Sequence, residues 1–384
     1  MNNFSYYNPT KIIFGKGKIA SIAKEIPAEA RVLVTYGGGS IKRNGVYDQV
    51  REALKGHDFL EFGGIEVNPG YETLMKGVEV VRKEAVTMLL AVGGGSVADG
   101  TKFIAAAANF KGEPWDILSK QAPVKSAIPL GVVLTLPATG SESNSFAVIS
   151  RKATHEKLAF GSPLCYPKFA VLDPETTYTL PPVQIANGVV DAFIHTIEQY
   201  LTYPAAAPLQ DRLAEGVLLT LLEVGPKALA TPNDYDTMAS LMWCATLALN
   251  GLIGCGVPQD WSTHMIGHEL TAAYGIDHAR TLAVVLPGLL RNRREEKHEK
   301  LLQYARQIWG VTDGSDDERI ESAIGRTEEF FQSLGVPTRL SGYVDAVSAP
   351  EAIAARLEAR GGNPLGERAS ITPDVVREIL ATRL

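Results

Sequence analysis

Arg31-Val-Leu-Val-Thr-Tyr-Gly-Gly-Gly-Ser40 and Thr87-Met-Leu-Leu-Ala-Val-Gly-Gly-Gly-Ser96 share one plan. Each is a short run rich in β-branched and aliphatic residues that ends in the same tetrapeptide and leads into a helical pattern. The runs read as strands over Arg31–Thr35 and Thr87–Val92, bounded by turn residues. A flexible Gly/Ser linker is not expected to interrupt a strand-to-helix junction twice. Glycine lets backbone amides approach a phosphate closely, and a helix starting just after it adds N–H donors and a positive dipole end. The repeat therefore predicts a parallel-sheet α/β unit that binds a nucleotide or dinucleotide. Gly93, Gly95 and Ala98 satisfy Gly-x-Gly-x-x-Ala, although after a later strand than the usual dinucleotide fingerprint occupies.

Further along, Leu134-Thr-Leu-Pro-Ala-Thr-Gly-Ser-Glu142 is a third strand-then-turn unit, rich in hydroxyls and suited to hydrogen-bonding a ribose or pyrophosphate. Alternation of strand and helix patterns continues to about residue 180, the signature of βαβ units. Past Pro181-Pro182 the β-branched runs nearly vanish and amphipathic helical patterns take over. The expected architecture is an amino-terminal α/β domain over residues 1–182 and an all-helical domain over 183–384. Ser315-Asp-Asp-Glu318 is a capping box for a helix with Ile320, Ile324, Phe331 and Leu334 on its apolar stripe, ending at Gly335. Gly361-Gly362-Asn363-Pro364 stops the next helix, and Thr372-Pro373 caps the last.

The helical half carries a second signal. Four of the seven histidines fall in Asp191-Ala-Phe-Ile-His195, in His264-Met-Ile-Gly-His268 and at His278. Residues i and i+4 share a helix face, so each pair can reach one ion, and one carboxylate with three imidazoles completes a divalent-metal site. Solvated helix faces usually carry Lys or Arg, yet neither occurs from Phe169 to Asp211 or from Ala228 to Ala279. Around the helix from Gln184 to Tyr203, Ala186, Val189, Val190, Phe193, Ile197 and Tyr200 share one side; Asn187, Asp191, His195 and Glu198 share the other. A polar side with acids and a histidine but no cation reads as the lining of a site, because buried charges must be paired or metal-bound. The run Arg291 to Lys300 reads instead as a solvated face with His298 at the surface, and His57 and His155 have no companion in any motif.

Composition narrows the class. With 384 residues, 45% of them hydrophobic, the chain can bury a substantial core in two domains. A formal charge of −6 without a basic stripe argues against nucleic acid and anionic membrane surfaces. The start, Met1-Asn-Asn-Phe-Ser-Tyr-Tyr, lacks a signal-peptide pattern, and no run is long and apolar enough for the roughly 20 residues that a spanning helix needs. A cytoplasmic enzyme is expected. Cys165, Cys244 and Cys255 are odd in number and widely spread, so they read as core residues rather than disulfides or zinc thiolates.

Together these motifs resemble the iron-containing (group III) alcohol dehydrogenases over the whole chain, specifically their NADPH-dependent aldehyde reductase and butanol dehydrogenase branch. The carrying residues are Val92-Gly-Gly-Gly-Ser-Val-Ala-Asp99 with Lys102, Thr135-Leu-Pro-Ala-Thr-Gly-Ser-Glu142, Asn187-Gly-Val-Val-Asp-Ala-Phe-Ile-His195, His264-Met-Ile-Gly-His268 and Gly275-Ile-Asp-His278. The resemblance implies an α/β dinucleotide domain and a helical metal-binding domain, the plan shared with dehydroquinate synthase, with the active site in the cleft between them. It assigns one Zn2+ or Fe2+ to Asp191, His195, His264 and His278, and leaves His268 by the nicotinamide as a proton relay. It also places the pyrophosphate at Gly94, Gly95 and Ser96, Asp99 near the nicotinamide with a catalytic role, and Thr135, Thr139 and Lys157 in further cofactor contacts. Leu136-Pro137 departs from the longer threonine-rich run of many members. A homodimer or higher homo-oligomer through the amino-terminal domains is implied as well.

Cofactor choice can be argued from the first turn. NAD-selective sites place an acid on the adenosine ribose hydroxyls, where it would repel a 2′-phosphate. Tyr36-Gly-Gly-Gly-Ser40 contains no acid, and Gly37, Gly38 and Ser40 can cradle a phosphate, so NADP(H) is expected; Lys42 and Arg43 read as solvated charge. The expected reaction is reduction of an aldehyde to a primary alcohol, with the metal polarising the carbonyl. A lyase or cyclase of dehydroquinate synthase type is the rival, but it needs cations close to the metal, against the two cation-free stretches. A non-catalytic nucleotide or metal binder would need no full ligand set. Trp243, Met242, Trp261 and Phe146 are candidate substrate walls, and the composition favours short- to medium-chain aldehydes.

Overall fold

A computed structural model describes residues 1–344 and 347–384. Among these the chain forms two compact units: one of Tyr7–Pro181 with Thr231–Asn250, the other of Met1–Tyr6, Pro182–Ala230 and Gly251–Leu384.

The first unit is built on a parallel sheet. Its strands are β1 (Lys11–Phe14), β2 (Arg31–Tyr36), β3 (Asp58–Phe62), β4 (Met88–Gly94), β5 (Leu130–Leu136) and β8 (Phe169–Leu172), in the order β1-β8-β5-β4-β2-β3. A separate antiparallel hairpin joins β6 (Phe146–Arg151) to β7 (Glu156–Gly161). The helices are α1 (Ile22–Glu25), α2 (Val46–Ala53), α3 (Tyr71–Lys83), α4 (Gly95–Ala108) and α5 (Asp116–Ser119). Alternate residues along each strand enter opposite cores. Leu33, Leu89, Ala91, Val132 and Leu134 pack with α3 and α4 residues such as Leu74, Val78, Phe103 and Ile104. Val32, Val34, Leu90, Val92, Val133 and Val171 pack with Ile19, Ile22, Val46 and Val50. Burial on both faces is why these strands read as continuous apolar runs.

Strand order reverses at β2 and β4. The chain goes from β2 outward to β3, then returns to pair β4 on the other side of β2, with Tyr36 opposite Val92. Ligand crevices in open α/β sheets lie at such a switch point, beyond the carboxyl ends of the strands. The two Gly-Gly-Gly-Ser turns stand at those ends. The second is tighter than the expected strand ending at Val92: β4 runs through Gly94, with an irregularity in its pairing to β5, and α4 begins at once.

The second unit contains α6 (Pro182–Tyr200), α7 (Pro208–Ala230), α9 (Ser262–Tyr274), α10 (His278–Asn292), α11 (His298–Trp309), α12 (Asp316–Ser333), α13 (Ala349–Ala359) and α14 (Pro373–Ala381). Between them in sequence, α8 (Tyr235–Ala248) belongs to the first unit. Here Glu142 accepts a hydrogen bond from Thr246 at 2.5 Å, and Asn144 donates to the Leu249 carbonyl at 3.3 Å. The capping box of Ser315 and Glu318 is formed, Gly335 adopts φ +76° just past α12, and Thr372 caps α14. The three cysteines are buried, and none is in a disulfide. Among the described residues no helix is long and apolar enough to cross a membrane.

The run from Arg291 to Lys300 differs from expectation. Lys297 is 2% exposed and Lys300 4%. Lys297 bonds Asp260 at 2.8 Å, Glu367 at 2.6 Å and the Leu201 carbonyl at 2.8 Å; Lys300 bonds Asp211 at 2.7 Å. Ammonium groups can be buried when each donor meets a carboxylate or carbonyl, and those acceptors are distant in sequence. His298 does stay near the surface, beside Asp316.

Candidate functional site

The expected ligands assemble on three helices of the second unit. Asp191 and His195 lie one turn apart on α6, which is buried along most of its length. His264 and His268 lie one turn apart on α9. That helix begins where Asp260 accepts the Ser262 backbone N–H at 2.9 Å and ends at Gly275, whose φ of +70° suits a left-handed helix terminus. Only Gly275, Ile276 and Asp277 separate α9 from α10, so the chain doubles back and His278 opens α10 beside the other ligands.

Asp191 Oδ1 lies 3.8 Å from His195 Nδ1, 4.0 Å from His264 Nε2 and 3.8 Å from His278 Nε2. Asp191, His195 and His264 form the tightest group, and His278 reaches the same carboxylate oxygen. Four atoms each about 2.1 Å from a tetrahedral ion would be about 3.4 Å apart; the three nitrogens stand a few tenths of an ångström farther than that from Asp191 Oδ1, and the Asp191, His195 and His264 donors lie within 4.8 Å of one another. Asp191 Oδ1 and His195 Nδ1 are buried without a hydrogen-bond partner. Buried polar atoms are ordinarily satisfied, and a cation would satisfy both. Burial pushes the His195 imidazole down to about 4 despite the opposing charge of Asp191, so at neutral pH it is the uncharged ligand form.

Glu198, on the polar side of α6 but assigned no role from sequence, holds His264. Its Oε2 accepts from His264 Nδ1, and its Oε1 accepts the His264 backbone N–H at 3.2 Å. A proton on Nδ1 leaves the Nε2 lone pair toward Asp191, the usual orientation of a metal-ligating imidazole by a carboxylate. Burial, then the nearby Asp260, push the Glu198 carboxyl well above the ordinary range. His268 is buried beside the cluster, with its ring 5.1 Å from that of His278 and 6.2 Å from that of His264.

Of the four candidate wall residues, Trp261 stands at this site, its ring 5.5 Å from His264 and 6.3 Å from His195. Met242 is wholly buried, Trp243 packs edge-on against Phe14 and Phe146 is exposed on β6. His155 is exposed, and His57 approaches the Ile26 carbonyl at 3.4 Å.

The cofactor candidates belong to the first unit. Gly38 and Gly39 have open space where a side chain would stand, and Gly38 and Ser40 border solvent. At the second turn the helix α4 starts without a side-chain cap, leaving its first amides for an anion. A Cβ on Gly94 would stand 2.9 Å from Leu136 Cβ, and one on Gly95 would overlap Thr139 Oγ1. Those glycines let β4 and α4 close against the turn after β5. Ser96 is half-buried at the mouth of α4 and Thr135 is buried on β5. Lys157, buried on β7, donates to Asn68 at 2.9 Å.

Asp99, half-buried on the next turn of α4, accepts from Ser141 Oγ at 2.5 Å and from the Val148 backbone N–H at 2.9 Å. Buried Lys102 donates to Ser141 Oγ, Asn144 Oδ1 and the Phe146 carbonyl at 2.8, 3.0 and 2.7 Å. Burial pushes that ammonium down to about 8 against the pull of Asp99. Asp99 and Lys102 therefore brace the third turn and β6 through Ser141.

Comparison with known proteins adds the family. Residues 9–174 match the iron-containing alcohol dehydrogenase family, and residues 185–382 match the carboxyl-terminal part of the Fe-containing alcohol dehydrogenases. The chain is 63% identical over 383 residues to the NADPH-dependent aldehyde reductase YqhD of Escherichia coli (strain K12), covering 99% of each chain. It is 41% identical to the probable NADH-dependent butanol dehydrogenase 1 of Bacillus subtilis (strain 168), covering 100% of both. The crystal structure of E. coli K-12 YqhD aligns with a TM-score of 0.98 at 61% identity, covering 100% of this chain and 99% of that one. NADH-dependent butanol dehydrogenase A from Thermotoga maritima aligns at 0.94 and 36% identity, with 100% and 99% covered.

Proposed function

The chain belongs to the iron-containing alcohol dehydrogenase family, and from that membership we propose that it is a metal-dependent, NADPH-linked aldehyde reductase. The overall reaction is aldehyde plus NADPH plus a proton giving primary alcohol plus NADP+. One observation carries the reading: Asp191 Oδ1, buried and lacking a hydrogen-bond partner, has a nitrogen from each of His195, His264 and His278 within 4.0 Å. These four residues would hold one Zn2+ or Fe2+, since nitrogen and oxygen donors suit both ions. A bound ion supplies a Lewis acid for the carbonyl oxygen, and bound NADPH supplies hydride from its nicotinamide C4.

The chain's own residues prepare the rest. Glu198 keeps the His264 proton at Nδ1 and its Nε2 available; burial keeps His195 neutral. His268, beside the ligands, is the residue to relay a proton to the product oxygen. Trp261 walls the site with an apolar, planar surface suited to a short alkyl chain. In the first unit, the amides of Gly37 and Gly38 and the Ser40 hydroxyl take the 2′-phosphate. Gly94, Gly95 and Ser96 take the pyrophosphate at the α4 amino terminus. Asp99, Thr135, Thr139 and Lys157 line the remainder, Asp99 toward the nicotinamide. The reading thus gives NADP(H) to the α/β domain, 1–182, and the metal to the helical domain, 183–384, within which α8 packs with the first unit.

Three buried cysteines outside any disulfide support a reducing, cytoplasmic setting. A homodimer through the α/β domain completes the reading, supported by the sheet ending in the exposed-edge strand β1; sedimentation velocity tests it.

The decisive experiment monitors absorbance at 340 nm with NADPH and butanal, on protein stripped of metal and reloaded with Zn2+ or Fe2+. Activity lost on stripping and restored by one ion supports the reading and identifies the metal. Tight NADPH binding without turnover under either ion overturns it in favour of the lyase alternative.

A further inference from the structure

The turn after β2 contains no acid, but the fold brings one to it from the neighbouring strand. Glu61 lies on β3, paired with Val34 of β2. Its carboxylate accepts a hydrogen bond from Tyr36 Oη at 3.1 Å, and Tyr36 is the residue immediately before Gly37. The segment after β3 is fastened to the same turn: Gly64 N–H donates to the Gly37 carbonyl at 3.0 Å and Ile65 N–H to the Tyr36 carbonyl at 3.2 Å. A Cβ on Gly63 would stand 2.5 Å from the Tyr36 ring, so the tyrosine lies close over this segment. Glu61 is therefore a carboxylate beside the proposed 2′-phosphate cradle.

Its charge is met by a lysine. Lys42, just past the turn, places Nζ 2.5 Å from Glu61 Oε2 and sits 4.9 and 4.7 Å from the ring centroids of Tyr36 and Tyr47. Tyr47 Oη, from α2, donates to the other carboxylate oxygen. Partial burial alone would raise the Glu61 carboxyl, but the donors Lys42, Tyr47 and Tyr36 outweigh it and hold the carboxyl below its ordinary range. Glu61 is thus an anion at neutral pH, and its charge and that of Lys42 cancel. Half-exposed ion pairs contribute little to stability; what this one changes is the field at the turn.

We propose that Lys42 determines cofactor specificity by masking Glu61, so that a carboxylate standing next to the Gly37–Ser40 turn does not repel the 2′-phosphate of NADP(H). The proposal rests on the NADP(H) reading above and adds to it a specificity residue outside the glycine turn. Lys42 acts through Glu61 and makes no contact of its own with the phosphate. Loss of Lys42 leaves a full negative charge facing a group that carries nearly two. At separations of several ångströms near the surface, the repulsion is on the order of fivefold in affinity. NADH, lacking the 2′-phosphate, is affected far less.

The test compares Kd and KM for NADPH and NADH in the metal-loaded wild type, Lys42→Met and Lys42→Met/Glu61→Gln, with thermal melting confirming that each variant is folded. The expected result is an NADPH affinity weakened by about fivefold or more in Lys42→Met, NADH unchanged within about twofold, and NADPH affinity restored by the added Glu61→Gln. Unchanged NADPH affinity in Lys42→Met overturns the proposal, leaving a surface ion pair only. Weakened affinity that Glu61→Gln fails to restore also overturns it, by making Lys42 a direct phosphate ligand. A wild type that prefers NADH overturns the cofactor reading itself, an outcome seen before any variant is made.

Discussion

Glu198 and His264 are joined twice, through the imidazole Nδ1 and through the backbone N–H at 3.2 Å, although 66 residues separate them. The helix that carries His195 thus also fixes the orientation of a candidate metal ligand on α9. Replacing Glu198 by Gln keeps the shape but replaces one of the carboxyl oxygens that hold His264 with an amide nitrogen. We expect metal affinity to fall by about 10- to 100-fold, the usual cost of losing such a partner, measured by chelator competition; wild-type affinity in Glu198→Gln would show that the contact only packs.

The proposed function makes His278 a metal ligand and His268 a proton relay, and substitutions distinguish the two. His278→Ala should lose stoichiometric metal by elemental analysis, because Asp191 then keeps only two imidazoles. His268→Ala should retain the metal while kcat falls on the order of 100-fold, the range for a positioned proton donor. Loss of metal in His268→Ala would exchange the two roles.

Gly95 tests the proposed cofactor turn independently of the metal. An added methyl would overlap Thr139 Oγ1, so Gly95→Ala forces α4 away from the turn after β5. Overpacking of this kind costs about 1–3 kcal/mol. We expect weaker NADPH binding in a fluorescence titration and a lower melting temperature, with metal content unaltered.

Trp261 borders His195 and His264 from one side. Trp261→Ala should widen the site and shift the ratio of kcat/KM from butanal toward longer or branched aldehydes, by about tenfold or more, the scale of one methylene contact. An unchanged chain-length profile would remove Trp261 from the substrate wall.

Cys165 gives a pH signature. Burial pushes its thiol up to about 11 from 9.0. The folded state then keeps a proton that the unfolded state releases, so this contribution is fully present below pH 9 and is lost as pH rises toward 11. A folded state that binds more protons than the unfolded one loses stability as pH rises. Urea unfolding between those pH values should therefore show a stability decline larger in wild type than in Cys165→Ala, by up to about 2–3 kcal/mol. Identical slopes would show that the Cys165 thiol does not carry the decline.

Much of the site was legible because its signals are local. Asp191 with His195, and His264 with His268, share helix faces through the period of the helix itself, and the two glycine turns are read from strand, turn and helix start in succession. Glu198 stood on the correct side of the α6 wheel, but its partner depended on how α9 crosses α6. Lys297 and Lys300 illustrate the opposite error: a charged run looks solvated until Asp260, Glu367 and Asp211 arrive from elsewhere. The place of α8 was hidden for the same reason, since its hydrogen bonds to Glu142 and Asn144 span about a hundred residues.

Local order along the chain was enough for the α/β-then-helical succession, the two Gly-Gly-Gly-Ser turns at strand-to-helix junctions and the set of metal-ligand candidates, because backbone hydrogen bonding and side-chain periodicity act over a few residues. Folding in three dimensions was needed to bring His278 back onto Asp191 and to stand His268 beside the ligands. It was needed too for Glu198 to anchor His264, and for Glu61 and Lys42 to meet beside a turn that contains neither. Those arrangements arise from packing of helices and adjacent strands, in which residues far apart along the chain come within hydrogen-bonding distance.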